Sequence, residues 1–318
     1  MYALKYFSES TGRTVVEVGH RDEGARARRI EIAAFLLPAL LLFAAFTAYP
    51  VLRTFWNSLF EIRPNGNESF VGFENFREIL AADPVFRRAV WNTLIWSTIE
   101  PFIDVGLGLL LALALYTNVP FARFFRVAWF TPVLISTVVV AIIWSWLYNY
   151  DWGAVNLALR GVGLDGVTRA WLGDPATALP ALILADSWKW VGFNMVVCLA
   201  ALHSLPSEVM EAAELDNCDW WAKLRFVVVP MLQATLLNLL VLAFISRMKV
   251  FDLVWVTTRG GPLWATETVS TYTFKRAFEW RSFDLGYPSA IAVIWFLVVI
   301  GAVLGLTFLL RQRDRLEF

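Results

Sequence analysis

The segment SEVMEAAELDNCDWWAKLRFVVVP, Ser207–Pro230, carries five acids within twelve residues: Glu208, Glu211, Glu214, Asp216 and Asp219. It lies between two long apolar runs. Leu205-Pro206-Ser207 opens a helix well, because proline is tolerated in a first turn, and Glu208 and Glu211 sit where the helix dipole favours negative charge. Val209, Ala212, Ala213 and Leu215 recur at helical spacing and predict a small, smooth face. Asn217 is a natural stop, since asparagine tolerates the left-handed conformation that ends helices. A second helix is expected through Trp220, Trp221, Leu224 and Phe226 to Pro230, where the next apolar run begins. Helices that lie in a lipid interface usually present lysine and arginine to phosphates. An acidic helix with an alanine pair fits a groove in a soluble partner instead.

Outward from this segment the chain is oily. Of 318 residues 58% are hydrophobic and only 17% charged, a balance that soluble domains rarely reach. Apolar runs near 30–50, 94–116, 127–148, 178–202, 229–246 and 289–310 are each long enough for the roughly 20 residues a helix needs to cross hydrocarbon. Backbone polar groups in lipid must be satisfied within the segment, so these runs are read as helices. The expected fold is all-α and integral to the membrane, a six-helix bundle over 30–310 with tails at 1–29 and 311–318. The polar start, with Arg26, Arg28 and Arg29 before the first run, predicts a retained anchor rather than a cleaved signal. Zero net charge gives no footprint for nucleic acid. Cys198 and Cys218 are too few for a disulfide framework and read as a buried apolar residue and an incidental thiol.

Six crossings place both termini on one side. Arg26, Arg28 and Arg29, then Arg123 and Arg126, then Arg311, Arg313 and Arg315 share that side, which the positive-inside rule makes cytoplasmic. The loop from 203 to 230 faces the same way. Arg87, Arg88, Lys275, Arg276 and Arg281 fall opposite, in the longer loops 57–90 and 257–288. The stretch WSWLYNYDWG, Trp144–Gly153, reads as an interfacial aromatic belt.

The acidic segment resembles the EAA loop of permease subunits in binding-protein-dependent ABC importers. In that pattern E-A-A is followed by three residues, a glycine, nine residues and I-x-L-P. Here Glu211-Ala212-Ala213 leads after three residues to Asn217, and after nine more to Val227, Val228, Val229 and Pro230. Asparagine replaces the glycine, and valine both isoleucine and leucine. A second segment, KVFDLVWVTTRGGPLWATETVSTYTFKRAF at Lys249–Phe278, resembles the carbohydrate-uptake branch of the same family. Phe251-Asp252, Gly260-Gly261-Pro262 and Thr266-Glu267 take the usual places, with Arg259 where a glycine is common. FDLGYPSAIAV before the last run, Ala48–Pro50 (AYP) and Trp129–Ser136 (WFTPVLIS) are also similar. The resemblance covers residues 30–310.

It implies a subunit of a prokaryotic inner-membrane importer that pairs with a second permease in a heterodimer. Two cytoplasmic ATPase subunits would grip the EAA loops, and an extracytoplasmic binding protein would deliver a sugar or polyol. The coupling residues would be Glu211, Ala212, Ala213, Asp216, Asn217 and Pro230. The chain has no phosphate loop of its own, since none of its five lysines follows a glycine. It is expected to bind no cofactor or metal, with ATP and magnesium used by the partner subunits.

Charges within the runs mark a solute path or structural pairs, because an intramembrane charge usually faces a bundle interior. Glu100 and Asp104 lie in the second run, Asp186, Lys189 and Asn194 in the fourth, and Arg247, Lys249 and Asp252 beyond the fifth. Spacing of three suggests Asp186 with Lys189 and Lys249 with Asp252. Rings stack on the apolar faces of sugars and polar side chains meet hydroxyls, which singles out Trp188, Trp190, Asn194, Lys249 and Asp252. Two other functions remain open at this point. A membrane-embedded transferase would need a catalytic constellation, and with only His20 and His203 and no GxSxG, HExxH or paired-aspartate motif none is visible. An ion-driven secondary transporter would show inverted repeats, and none is seen.

Overall fold

The computed structural model describes residues 20–62, 67–116, 119–216, 218–280 and 284–314. The terminal tails 1–19 and 315–318, Asn217 and Arg281 lie outside the described residues. The chain divides at Arg53 into two units. The first is a helix that opens at His20. The apolar stretch that starts in it and runs on past Arg53, α1 (Glu31–Asn57), is long enough to cross a membrane, and Phe35 and Phe46 are exposed. The turn Ala44–Ala48 is wound as a π-helix, two residues short of Pro50. A proline ring clashes with the preceding turn of a helix, and a widened turn gives it room.

The second unit is built on three continuous helices, α3 (Pro84–Tyr116), α7 (Ala178–His203) and α13 (Gly286–Asp314). Two bent pairs complete it, with short helices α6 (Ala154–Gly161) and α12 (Val269–Phe274) in the connections. Helices α4 (Ala122–Leu134) and α5 (Thr137–Leu147) meet at 104°, and α9 (Trp220–Met231) and α10 (Gln233–Arg247) at 74°. Six crossings are therefore reached only when each bent pair counts as one. The run 127–148 is not the single straight helix its hydropathy suggests. Pro132 cannot donate to the carbonyl one turn back, and Ser136 is extended at φ −56°, ψ 141°. The break frees the Ile135 carbonyl, and Lys189 of α7 donates to it at 2.8 Å and to Thr137 Oγ1 at 2.8 Å. Buried backbone groups need such partners. Lys189 is thus taken up by the bend and makes no ion pair with Asp186 among the described residues.

The interface between α3 and α7 is the most extensive among the described residues; Gly108 sets how closely α3 approaches α7, and Gly192 how closely α4 does. A methyl on Gly108 would lie 2.6 Å from Asn194 Cβ, and one on Gly192 would lie 1.9 Å from the Trp129 carbonyl oxygen of α4. Trp96, Leu182, Val140 and Leu253 fill one core region, and Met195, Leu202, Leu239 and Leu232 a second.

The loop 57–90 holds structure that the apolar runs gave no sign of. Strands β1 (Phe60–Ile62) and β2 (Glu68–Phe70) pair antiparallel, followed by α2 (Glu74–Ala82). Three-residue strands are too short for an alternating pattern to register. Asp284 accepts from Ile62 N at 3.0 Å and Gly286 N at 2.8 Å, which ties the hairpin to α13. Buried Asp83 accepts from the hydroxyls of Tyr272 and Tyr287 at 2.5 and 2.6 Å and caps Phe86 N. The stretch Trp144–Gly153 does not present all of its rings outward. Trp146 and Trp152 are exposed, but Tyr148 is buried and donates to the Ala181 carbonyl at 3.0 Å.

Candidate functional site

The acidic segment folds as α8 (Ser207–Leu215) followed by α9. Asp219 closes the gap between them. Its carboxylate accepts from Ala222 N at 2.6 Å and caps α9, the bond an N-cap aspartate makes with an unpaired N–H. Cys218 N donates to the Ala213 carbonyl at 3.1 Å. Ala213 is buried, while Leu215 is 83% exposed. These two residues therefore do not share the single smooth face expected of them. Residues two apart on a helix point about 200° from each other, so Ala213 turns inward, and its helix packs on Lys223–Val228. Glu208, Glu211 and Asp216 are exposed on the outside with Leu215. The side chain of Ala212 and all of Asn217 lie outside the described residues.

Pro230 sits in the last turn of α9 rather than opening the next span, which starts at Gln233 after the 74° bend. The turns before it, Lys223–Val228, are again π-wound. Val228 and Leu232 pack into the core region shared by Leu115 of α3 and Leu202 of α7. The short helices thus rest on the ends of two long ones.

Within the bundle, four charged side chains from α3, α7 and α10 converge. Arg247 Nε lies 2.8 Å from Glu100 Oε1 and 3.3 Å from Asp186 Oδ2, and its Nη2 bonds Asp104 Oδ2 at 2.9 Å. All four residues are at most 4% exposed. The Trp96 indole donates to Glu100 Oε2. The guanidinium also lies over the Trp190 ring, 5.3 Å from its centroid. The expected pairing of Asp186 with Lys189 is replaced by this group. Lys249 and Asp252 form no ion pair with each other among the described residues. They do not share a helix, because α10 ends at Arg247 and α11 (Asp252–Thr257) starts only at Asp252.

Two cavities flank Arg247 and Trp190. One of about 180 Å³ is lined by Asp104, Asn194, Phe193 and Ser246, and one of about 160 Å³ by Asp186, Lys249, Asp252 and Thr137. Four of the five residues singled out for a solute path, Trp190, Asn194, Lys249 and Asp252, border these spaces. Trp188 does not. It packs edge-on to Trp144, centroids 5.8 Å apart, in the core. Ser246 and Phe193 line the cavities without any sequence signal that could have marked them.

The turn after α11 explains the second motif. Glu267 is buried and pairs with Lys275 Nζ at 2.5 Å, and Lys275 also donates to the Arg259 carbonyl at 2.6 Å. Burial pushes the Glu267 carboxyl above its ordinary range, against the hydrogen bonds of Lys275 and Thr271. Gly260 has φ +81°, and a methyl there would meet Glu267 Oε2 at 1.9 Å. Arg259 has φ +49°, a left-handed conformation that favours the glycine more usual there.

Comparison with known proteins accords with this architecture. Residues 104–314 match the family described as binding-protein-dependent transport system inner membrane component. The probable ABC transporter permease protein YurN of Bacillus subtilis is 33% identical over 269 residues, 84% of this chain and 91% of that protein. The trehalose/maltose permease protein MalF of Thermococcus litoralis is 31% identical, covering 83% and 88%. The lactose permease protein LacF of Rhizobium radiobacter is 32% identical, covering 88% and 93%. A chain of a bacterial alginate ABC transporter, solved with an alginate-bound periplasmic protein, shares the fold with a TM-score of 0.79 at 23% identity, over 92% of this chain and 98% of that one. This chain belongs to the binding-protein-dependent inner-membrane components, the multi-pass permease subunits of ABC importers, and is a transport component rather than an enzyme.

Proposed function

We propose that this chain forms one half of the translocation path of an ATP-driven importer for a sugar or sugar-like solute, with a second permease as the other half. The observation that carries the coupling part is the outer face of α8. Glu208, Glu211, Leu215 and Asp216 stand exposed there, while Ala213 fastens the helix to α9 and α9 to the ends of α3 and α7. Carboxylates on such a face offer charge-assisted bonds to a basic groove. The packing beneath gives a rigid connection from that groove to the bundle. A cytoplasmic ATPase subunit is the partner that fits, so both termini also face the cytoplasm. ATP and magnesium belong to the two ATPase subunits. Ala212, Asn217 and Pro230 would share the coupling role, Pro230 by setting the approach to the bend.

The sugar assignment is supported by the relatives, several of which are named for trehalose, maltose or lactose. It is supported also by the cavities around Trp190, Asn194, Lys249 and Asp252, which pair an aromatic ring with hydrogen-bonding groups as polyhydroxylated solutes require. A soluble binding protein delivers the solute from the other side of the membrane.

Glu211→Lys reverses a charge on the exposed face and leaves the bundle untouched. ATP-dependent uptake in proteoliposomes is expected to fall about tenfold or more, the scale of one lost charge-assisted bond, while the second permease still co-purifies. Undiminished uptake by this variant would contradict the coupling role. Loss of the second permease with it would show that the residue serves assembly instead.

A further inference from the structure

Helix α9 meets α10 at 74°, so it turns away from the line of that span and runs along the end of the bundle. Its inner side, Leu224 and Val228, packs in the core region of Leu115 and Leu202. Its outer side is not that of a helix facing water. Trp221 and Phe226 are 69% and 71% exposed. Arg225 stands exposed between them, its guanidinium 5.6 Å from the centroid of the Phe226 ring. No acid occurs from Trp220 to Met231. The start of α4 repeats the pattern at the same end of the bundle, because Ala122 packs on the core region that takes Leu224. Phe121 and Phe124 are exposed there, with Arg123 exposed between them. Phe121 has φ +63°, an uncommon conformation for a bulky residue, and a ring exposed to water gains nothing that offsets it. Neither arginine has an ion-pair partner among the described residues. Exposed apolar patches of this kind mark a contact with protein or membrane. Rings set beside unpaired arginines, on a helix turned along the end of a membrane bundle, fit lipid: the rings enter the acyl boundary and the guanidinium groups stay at the phosphates.

We infer that the outer side of α9 and the start of α4 form one lipid-interface surface that binds anionic phospholipid. Arg225 and Arg123 take the phosphates, and Trp221, Phe226 and Phe121 anchor in the boundary of the acyl chains. The two short helices then divide their roles by charge. Glu208, Glu211 and Asp216, exposed on α8, are repelled by the same lipid that attracts α9, which keeps α8 on the aqueous side. The inference holds whatever partner α8 takes.

Electron paramagnetic resonance on the complete transporter in vesicles tests it. A nitroxide is attached through Trp220→Cys, with Cys218→Ser, and for comparison through Glu211→Cys. In vesicles of phosphatidylcholine with phosphatidylglycerol, the label on α9 should be relaxed by oxygen and not by a water-soluble nickel chelate, and the label on α8 the reverse. In phosphatidylcholine alone the α9 label should shift toward access by nickel. Arg123→Gln combined with Arg225→Gln should abolish that difference between the two vesicles. A label through Phe226→Cys gives the same reading where the Trp220 variant does not assemble. Nickel access to α9 in both vesicles would overturn the proposal by placing the helix in water. Shielding from both reagents would overturn it by placing protein over the surface. Equal signals in the two vesicles would remove the part assigned to the phosphates.

Discussion

Replacing Arg247 with leucine is expected to lower the melting temperature of the purified transporter by on the order of 10 °C. The guanidinium is the only described side chain within ion-pair distance of Glu100, Asp104 and Asp186, and all three are buried. Removing one partner of a buried ion pair costs about 3–5 kcal/mol, because the remaining charge is left without compensation. Here three buried carboxylates lose the one guanidinium that lies within ion-pair distance of them all. Arg247→Lys should recover part of the loss. An ammonium keeps the charge, but it is a point donor, whereas the guanidinium reaches Glu100 and Asp186 through Nε and Asp104 through Nη2. A leucine variant that melted within a degree or two of the parent would show that the carboxylates are neutralised from elsewhere.

Gly192→Ala is the second large effect. The added methyl would sit 1.9 Å from the Trp129 carbonyl oxygen, 2.6 Å from its carbon and 3.0 Å from Phe130 Cα. Every one of these atoms is backbone, so no side-chain rotation relieves the clash, and α4 must move off α7. Overpacking of this kind typically costs 1–3 kcal/mol or more, roughly. The displacement also pulls on the α4–α5 bend, whose Ile135 carbonyl depends on Lys189 of α7. Gly106→Ala supplies the control. Nothing lies within 4 Å of the methyl there, and alanine favours a helix by up to about 1 kcal/mol over glycine. Thermal melts should separate the two variants by several degrees, with Gly192→Ala the lower; equal melting would contradict the close approach of α4 and α7.

Much of the bundle was legible in the hydropathy because lipid leaves a spanning chain few alternatives to helix. The bends were not, although Pro132 and Ser136 stand in the sequence. A hydropathy window averages over a proline, and whether a break is tolerated depends on a distant group, here Lys189, to satisfy the freed carbonyl. The charge group shows the same limit. Glu100 and Asp104 lie one turn apart and announce a shared face, but their counterion is Arg247, up to 147 residues on in the chain by numbering and 143 from Asp104. Local spacing instead paired Asp186 with Lys189 and Lys249 with Asp252. Both pairings fail for reasons outside the local sequence: one lysine is claimed by a bend, and the other pair is split by a helix end. The acidic segment was read correctly as two short helices. Its alanines were assigned to a partner, whereas Ala213 packs inward and leaves Leu215 and the acids outside.

Coupling through α8 requires its outer face to seat in an ATPase subunit. Disulfide cross-linking of the assembled transporter reads that contact. Cys218, which is half-buried and close by, is first replaced with serine, and Cys198 is buried. Cysteine at Glu211 is then oxidised against single cysteines along the ATPase groove, with and without ATP. A cross-link is expected from Glu211→Cys to the ATPase, and none from a cysteine at Trp152 on the opposite loop. Labelling of Glu211→Cys by an impermeant reagent from outside the cell, with no ATPase cross-link in the intact complex, would contradict it.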